Sequence, residues 1–568
     1  MLLLGYKTIT NNLVSNAILS YEVIPHLQLK SSFGYTNMQT NGLETIPLEV
    51  NDPSTWSYIQ RSTTFTNGNI HSWIIEPQVS YSKLFKKGEI TVLAGATIQQ
   101  NGSSGQEIVA SGFNSDLVME DIASATTITP YTRANSVYKY AAVFSRFNFN
   151  WNDKYLMNLT ARRDGSSRFG PANQFHNFGA IALGWIFSKE QLIARAIPIL
   201  SFGKIRASYG TTGSDQVGDY TFMDVYSSGT TGVPYLGTVG IGPGSIFTPD
   251  LAWEETKKLE AGLELGFLKD RILFSSSFYR NRSSNQLLDY PLPAITGFTS
   301  VKKNLDAVLQ NQGWEFEFRT VNIKSKSFVW TSSFNISMNR NKLVSGTPGL
   351  SAYYQARIGH PLSSRFVYHF LGVDPFTGLY QIADSHGSPT TSPNPLTDAT
   401  VLIDLTPKFY GGIQNGISYK SIQLDFLFQF TKQPGWQQYL YNYIPGFFTS
   451  SSGSNQPVTV LNRWQQPGDV KPIQKFSQDY SGFSAWNNAQ QSDQFYGDAS
   501  YIRLKNMSLS WQLPDQWKKT LHLQNARVYV QGQNLLTITR FKGLDPENKS
   551  TSLLPPLRVI TVGVQTTL

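Results

Sequence analysis

Hydrophobic and polar residues alternate with a period of two along much of the chain, most clearly between positions 154 and 190. Tyr155, Met157, Leu159 and Ala161 share one parity, while Asn158, Thr160 and Arg162 share the other. Only a strand with one apolar and one polar face accommodates that spacing. After a polar loop a second strand, roughly Phe178 to Phe187, returns and ends in Trp185 and Phe187. The plan recurs. Val143, Phe147, Phe149 and Trp151 alternate with Arg146, Asn148 and Asn150, and Leu259, Ala261, Leu263, Leu265 and Phe267 alternate with Glu260, Gly262, Glu264 and Gly266. Trp314, Phe316 and Phe318 alternate with Glu315, Glu317 and Arg319, and Leu424, Phe426, Phe428 and Phe430 with Gln423, Asp425 and Gln429. Two-faced strands of about ten residues with aromatic ends suit a wall that meets lipid on one side and water on the other. A soluble sandwich would turn its apolar face inward. The expected fold class is all-β, a transmembrane antiparallel barrel.

The connections alternate between tight and long. Ile24-Pro25-His26, Phe85-Lys86-Lys87-Gly88 and Asn152-Asp153-Lys154 read as short turns, whereas Thr36 to Asn69, Gln99 to Asn135 and Thr431 to Ala499 read as long polar loops. Transmembrane barrels keep short turns at the periplasm and long loops outside, which orients every strand. Trp151 and Tyr155, beside a short turn, then fall in an interfacial girdle. Leu192, Ile193, Ala196 and Ile197 have helical spacing and predict a short helix between Lys189 and Leu200. The segment Asn341 to Thr406 shows no period and reads as irregular.

About 17 strands can be counted, against 22 in plugged outer-membrane transporters. With the last strand ending at the periplasm, the first descends from outside, so the expected organisation is one partial barrel over residues 1–568, lacking about five strands. The opening MLLLGYKTITNN has neither a basic n-region nor a cleavage site, so the signal peptide is expected to be missing as well.

Composition narrows the reading further. Aromatic residues make up 13% of the chain and charged residues 15%, the latter well below the roughly 25% of soluble domains. Lipid-facing positions exclude charge, and the interfaces favour Trp and Tyr. No segment approaches 18 consecutive apolar residues, which excludes a membrane-spanning helix and leaves a barrel open. With no cysteine, disulfides and thiolate metal sites are excluded. The net charge of +9 and pI near 9.2 come from scattered Lys and Arg without a reader motif, so no nucleic-acid partner is expected, and anionic lipid or acidic substrate suits the charge better.

Several blocks carry a resemblance. Arg163-Asp164-Gly165-Ser166-Ser167-Arg168-Phe169-Gly170, followed by Gly184-Trp185, resembles a signature of the SusC/RagA-type TonB-dependent outer-membrane transporters. The run from Lys204 through Gly210 to Gly213 is similar too, with Ser214 where the family pattern has Asn. Trp253-Glu254, Gly359-His360-Pro361-Leu362, Gly372-Val373-Asp374-Pro375, Asn462-Arg463-Trp464, Pro467-Gly468-Asp469, Ser500 to Asn506 and Gly543-Leu544-Asp545-Pro546-Glu547 extend it over nearly the whole chain. Leu568 stands where the family leads one to expect a terminal aromatic. The resemblance implies the barrel part of an importer whose N-terminal plug and TonB contact lie outside this sequence. It also implies energisation by the TonB-ExbB-ExbD system, a SusD-like surface lipoprotein as lid, and a glycan or peptide substrate.

Within that frame, Trp436, Tyr439, Tyr441, Tyr443, Trp464 and Trp486 of the longest loop read first as girdle or loop-packing residues, with stacking on sugar rings or packing against a lid partner as the functional alternative. Arg163, Asp164, Gly165, Ser166, Arg168, Phe169, Gly210, Gly213, Asn462, Arg463 and Trp464 read as structural motif positions. Asp384-Ser385-His386-Gly387 supplies too few carboxylates for a calcium cage, and neither metal nor cofactor is expected. Gly165-Ser166-Ser167 lies in a hairpin loop and not at a strand-to-helix elbow, so no enzyme is expected. A passive porin or adhesin barrel, and less so an outer-membrane hydrolase, are the alternatives.

Overall fold

The computed structural model describes residues 4–228, 236, 238, 240–346, 357–436, 445–447, 458–549 and 553–567. Seventeen strands of nine residues or more dominate them, in agreement with the count from periodicity. They are β1 (Gly5–Ile24), β2 (Leu27–Ile46), β3 (Ser62–Phe85), β4 (Gly88–Ser111), β5 (Thr127–Trp151), β6 (Tyr155–Ser166), β7 (Phe175–Trp185), β8 (Leu200–Ser214) and β9 (Glu254–Phe267). The series continues with β10 (Ile272–Ser284), β11 (Val308–Lys324), β12 (Phe328–Ser345), β13 (Phe409–Tyr419), β14 (Ile422–Lys432), β15 (Tyr501–Gln512), β16 (Asn525–Thr539) and β17 (Val559–Thr567).

The chain divides into two compact units, Met1–Trp185 with Ser208–Lys258 and Ser283–Asp306, and Ile186–Ala207 with Leu259–Arg282 and Ala307–Leu568. In the first, β1 to β7 form an antiparallel meander in which each strand pairs with the next. In the second, β11 to β17 do the same.

Register converts the sequence parity into faces. In the second unit Phe318 stands opposite Phe334, and the row continues through Ile413, Phe428, Leu504 and Leu536. One residue along, on the other face, Glu317 is followed by Asn335, Gly412, Gln429, Arg503 and Thr537. A slip of one residue in any pair would drive that strand's polar set into the apolar face, so the register is strongly specified. In the first unit Phe85, Gly88, Trp151, Tyr155 and Trp185 share one row beside the short turns, the girdle expected of Trp151 and Tyr155.

The turns at this end are tight because their residues accept left-handed backbone. Asn152 and Asp153 have φ 54° and 51°, a pair of left-handed residues of the kind that matches the twist of the flanking strands. The short helix also forms, at Gln191–Ala196 after a 3-10 turn at Phe187–Lys189.

Two of the expected long loops are much shorter than their sequences suggest. β2 and β3 pair from Ile46 opposite Ser62 downward, and β4 and β5 from Ser111 opposite Thr127, so only residues 47–61 and 112–126 connect them. Where both faces of a strand meet water, as the expected barrel would have above its apolar band, the hydrophobic alternation disappears while the backbone ladder continues. β1 to β5 run to 20, 20, 24, 24 and 25 residues, about twice the 9 to 11 that crossing requires.

The third loop is not featureless either. Thr431 and Lys432 still belong to β14, Pro434–Trp436 pairs with Tyr496–Asp498, and a helix spans Tyr480–Gln490. The segment expected to be irregular holds short ladders, Ser364–Val367 with Val401–Asp404 and His369–Val373 with Tyr380–Ala383.

Candidate functional site

In the first unit the Arg-Asp-Gly-Ser-Ser-Arg-Phe-Gly block closes the outer end of β6. Arg162 and Asp164, on the polar face, form an ion pair at 2.5 Å, and the Arg162 guanidinium also donates to the Tyr140 hydroxyl at 2.6 Å. Ser166 donates to Asp215 at 2.7 Å, as does the Tyr138 hydroxyl. Arg168 donates to Asp219 at 2.8 Å and lies over the Tyr138 ring, 4.4 Å from its centroid. The block is thereby clasped to the segment after β8, whose two carboxylates neutralise a charge that would otherwise stand unpaired.

An apolar plug backs the clasp. Phe169 is fully buried and packs 5.3 Å from Trp253, which Phe178 meets edge-on at 5.8 Å. Gly213 lets Phe178 in, since a Cβ there would lie 2.1 Å from its ring. The motif positions Asp164, Ser166, Arg168, Phe169 and Gly213 thus converge on one cluster, with Gly210 beside it against Ala180. Arg163 and Gly165 point to the other, apolar face. Asp215 and Asp219 were not among the positions expected from sequence; their one signal is two acidic residues directly after a strand, Asp215 and Asp219 in SDQVGD. Beneath the clasp a recess of about 520 Å³ opens on the polar face, its lining including Gln78, Phe144, Arg146, Thr160, Arg162 and Asp164.

The second unit has its own clasp. Arg503, 1% exposed, donates to Asp545, to Glu547 at 2.5 Å and to the Thr537 hydroxyl at 3.0 Å. Lys505 reaches Glu547 at 3.0 Å. Two separate family-like blocks, Ser500 to Asn506 and Gly543 to Glu547, are therefore the two halves of one buried ion network. Such a network tolerates burial because every charge is paired and hydrogen-bonded.

The aromatic candidates part company. Trp486, 8% exposed, lies in the helix Tyr480–Gln490 and packs on Phe447 and Phe483 in a small core with Leu379 and Tyr380. Trp464 donates its indole N–H to the Pro375 carbonyl at 2.9 Å and lies against Gly378, whose φ of 73° and missing Cβ leave room for the ring. Both are loop-packing residues. Trp436 is 43% exposed and remains open to a ligand, while Tyr439, Tyr441 and Tyr443 lie outside the described residues. Arg463 sits over the Phe476 ring, and Asn462 accepts from Lys471 at 3.3 Å. Asp384 caps its own turn through the backbone N–H groups of His386 and Ser388, both at 2.8 Å. Among the described residues no cluster of His, Asp and Glu could hold a metal ion.

Depressed carboxylates hold the same loop region together. Hydrogen bonds from Ser477, from the Gly482 N–H and from Ser481 lower the Asp479 carboxyl to about 2, and it caps the helix Tyr480–Gln490. The Asn394 N–H and Thr397 hydroxyl depress Asp398, and the Phe376 N–H depresses Asp374.

The profile of the family described as TonB dependent receptor-like, beta-barrel matches residues 5–535. The chain belongs to this family. Among its relatives are TonB-dependent receptor P3 of Formosa agariphila, 27% identical over 565 residues, covering 94% of this chain and 54% of the relative. TonB-dependent receptor SusC of Bacteroides thetaiotaomicron is 27% identical over 491 residues, covering 83% and 47%. The chain spans about half the length of these curated relatives. Among solved structures, that of the RagAB peptide transporter superposes with a TM-score of 0.87 at 23% identity, over 100% of this chain and 62% of the other. This TonB-dependent receptor-like barrel is an outer-membrane protein, similar in sequence to SusC and in fold to the RagAB transporter. Its apolar rows are accordingly the lipid face and its polar rows the lumen face.

Proposed function

We propose that this chain forms the wall and extracellular loops of an importer of oligomeric nutrients, glycan or peptide, that works with a SusD-like surface lipoprotein and is energised through TonB, ExbB and ExbD. The observation that carries the reading is the two-faced wall. A row such as Phe318, Phe334, Ile413, Phe428, Leu504 and Leu536 is backed by Glu317, Asn335, Gly412, Gln429, Arg503 and Thr537. A wall with a polar inner face suits a hydrated path for polar oligomers. The names of the relatives support the rest: TonB-dependent receptor for SusC, and peptide transporter for RagAB.

The test is uptake by cells carrying the complete gene, with a fluorescent oligosaccharide series and an oligopeptide series offered in parallel. Import of one series that is lost when TonB is deleted supports the proposal and assigns the substrate class. Import that persists without TonB would establish the passive porin instead.

A further inference from the structure

On the lipid face of the first unit two cations stand near the outer edge of the apolar band. Val143, the partner of Arg163, stands eight residues up β5 from the girdle residue Trp151, and Lys139 stands twelve up. With a rise of about 3.3 Å per residue and a strand tilt of about 40°, Arg163 lies roughly 20 Å and Lys139 roughly 30 Å above the girdle. An apolar band about 25 Å tall ends between them. Arg163 therefore stands just inside the outer edge of the band, within a side chain's reach of the outer-leaflet headgroups, and Lys139 stands at their level.

Between the two cations the wall is hollowed. Ile98 stands opposite Ala141, Ala141 opposite Gly165, and Gly165 opposite Phe175, while Trp73, Gln100 and Lys139 form the row above. A depression of about 390 Å³ is lined by Trp73, Ile98, Lys139, Ala141, Gly165 and Phe175, among others, and Arg163 stands outside this lining, at its edge against Phe175. A Cβ on Gly165 would lie 2.4 Å from the Phe175 ring, so the bare glycine is what lets that ring lie across the floor. The Arg163 guanidinium is drawn up over the same ring, 5.4 Å from its centroid, and donates to Asn177 at 3.1 Å. This is how a cation near the edge of an apolar band reaches toward water. Among the described residues neither Arg163 nor Lys139 has a carboxylate within ion-pair distance, although the neighbouring Arg162 and Arg168 on the lumen face both do.

We infer that this hollow is a binding site for the phosphorylated headgroup of an outer-leaflet lipid, with Arg163 and Lys139 holding phosphate and Trp73 and Phe175 bracketing the upper part of an acyl chain. The charge, depth and aromatic rims agree: basic pockets at the membrane interface favour anionic headgroups, and aromatic rings prefer that level. The inference rests on the outer-membrane placement and gives the Arg163 and Gly165 positions of the signature block a role that the lumen clasp does not use.

The protein, extracted from outer membranes in a neutral detergent, is titrated with lipid A and separately with enzymatically dephosphorylated lipid A, and bound lipid is read by native mass spectrometry. The wild type should favour the phosphorylated form by about ten-fold or more, as two phosphate-binding cations would give. Lys139→Gln combined with Arg163→Gln should abolish the preference, whereas Arg146→Gln on the lumen face should keep it. Should the double variant fail to assemble, Lys139→Gln alone, a change at an exposed side chain, still lowers the preference at least two-fold. Millimolar inorganic phosphate should leave the bound lipid in place; its displacement would reassign the site to free phosphate. Equal binding of both lipid forms by the wild type, or an unchanged preference in either Lys139 variant, would overturn the proposal. Absence of the chain from the outer-membrane fraction would instead refute the membrane placement on which it rests.

Discussion

The two units build above the membrane by different means. The first continues its ladders, so that β1 to β5 reach 20 to 25 residues and backbone hydrogen bonds hold the extension. In the second, β13 and β14 stop at 11 residues and β15 at 12, and the outer part is a folded region with its own small core around Tyr380 and Trp486. A ladder distributes its stability over many equivalent backbone bonds, whereas a small core concentrates it in a few side chains. Single substitutions should therefore be nearly silent in the first extension and damaging in the second.

The largest effect is expected at the buried ion network. Arg503→Ala leaves Asp545, whose side chain is 4% exposed, without its cation, and loss of one partner of a buried pair costs about 3–5 kcal/mol. Urea titration of the purified protein, with proteolysis of residues 540–549 as a local readout, measures it. If the loss stays below about 1 kcal/mol, the network is not the fastening the geometry indicates. Trp486→Ala should cost a comparable 3–5 kcal/mol of local stability through the cavity it leaves. New cleavage within residues 480–490, with the wall unchanged in a heat-modifiability gel, is the expected readout.

The wall common to both units sets the next scale. Phe316, opposite Ile336 on the lipid face, should cost about 2–4 kcal/mol as Phe316→Arg, while the lumen-side Glu317→Gln should cost little. Equal losses would mean that the faces are exchanged.

Acid should separate the two constructions without any substitution. Asp479, Asp398 and Asp374 have folded-state values below the ordinary 3.8. Their contribution is complete above that value and is lost as pH falls from about 4 toward the value of about 2 that its hydrogen bonds give Asp479. Hydrogen exchange should show residues 374–398 and 479–490 opening over that range while the paired upper halves of β2 to β5 stay protected. Simultaneous opening would remove the distinction. The smallest effect is Ser104→Ala, in the extension opposite Asn69 and Asn135, which should stay within about 0.5 kcal/mol.

What the sequence disclosed follows the same division. The lipid-facing rows were legible because one solvent boundary imposes a period of two, and the girdle because Trp151 and Tyr155 flank a turn. The upper halves of β2 to β5 were not, since water on both faces erases the period in stretches such as Thr36 to Ile46. The clasps joined residues far apart, Ser166 to Asp215 and Arg503 to Asp545, and no local pattern encodes such a pairing. For Trp464 and Trp486 the sequence left loop packing and ligand stacking both open, because the partners that decide it, Gly378 and Phe447, are remote in sequence.

The length of β2 to β5 also bears on how the wall enters the bilayer. An outer-membrane strand arrives from the periplasm, so the polar tops of these hairpins must traverse the hydrocarbon before the apolar segments below them can settle in it. Unpaired backbone groups in that layer cost several kcal/mol each, which makes passage of a separate strand prohibitive. The hairpin from Ser62 to Ser111, whose two arms pair from the turn at Phe85 and Gly88 to the tip, already carries most of those bonds internally. Insertion should thus proceed by preformed hairpins through a locally thinned or hydrated passage, and the tall extensions would make assembly of β2 to β5 slower than that of the shorter β13 to β15.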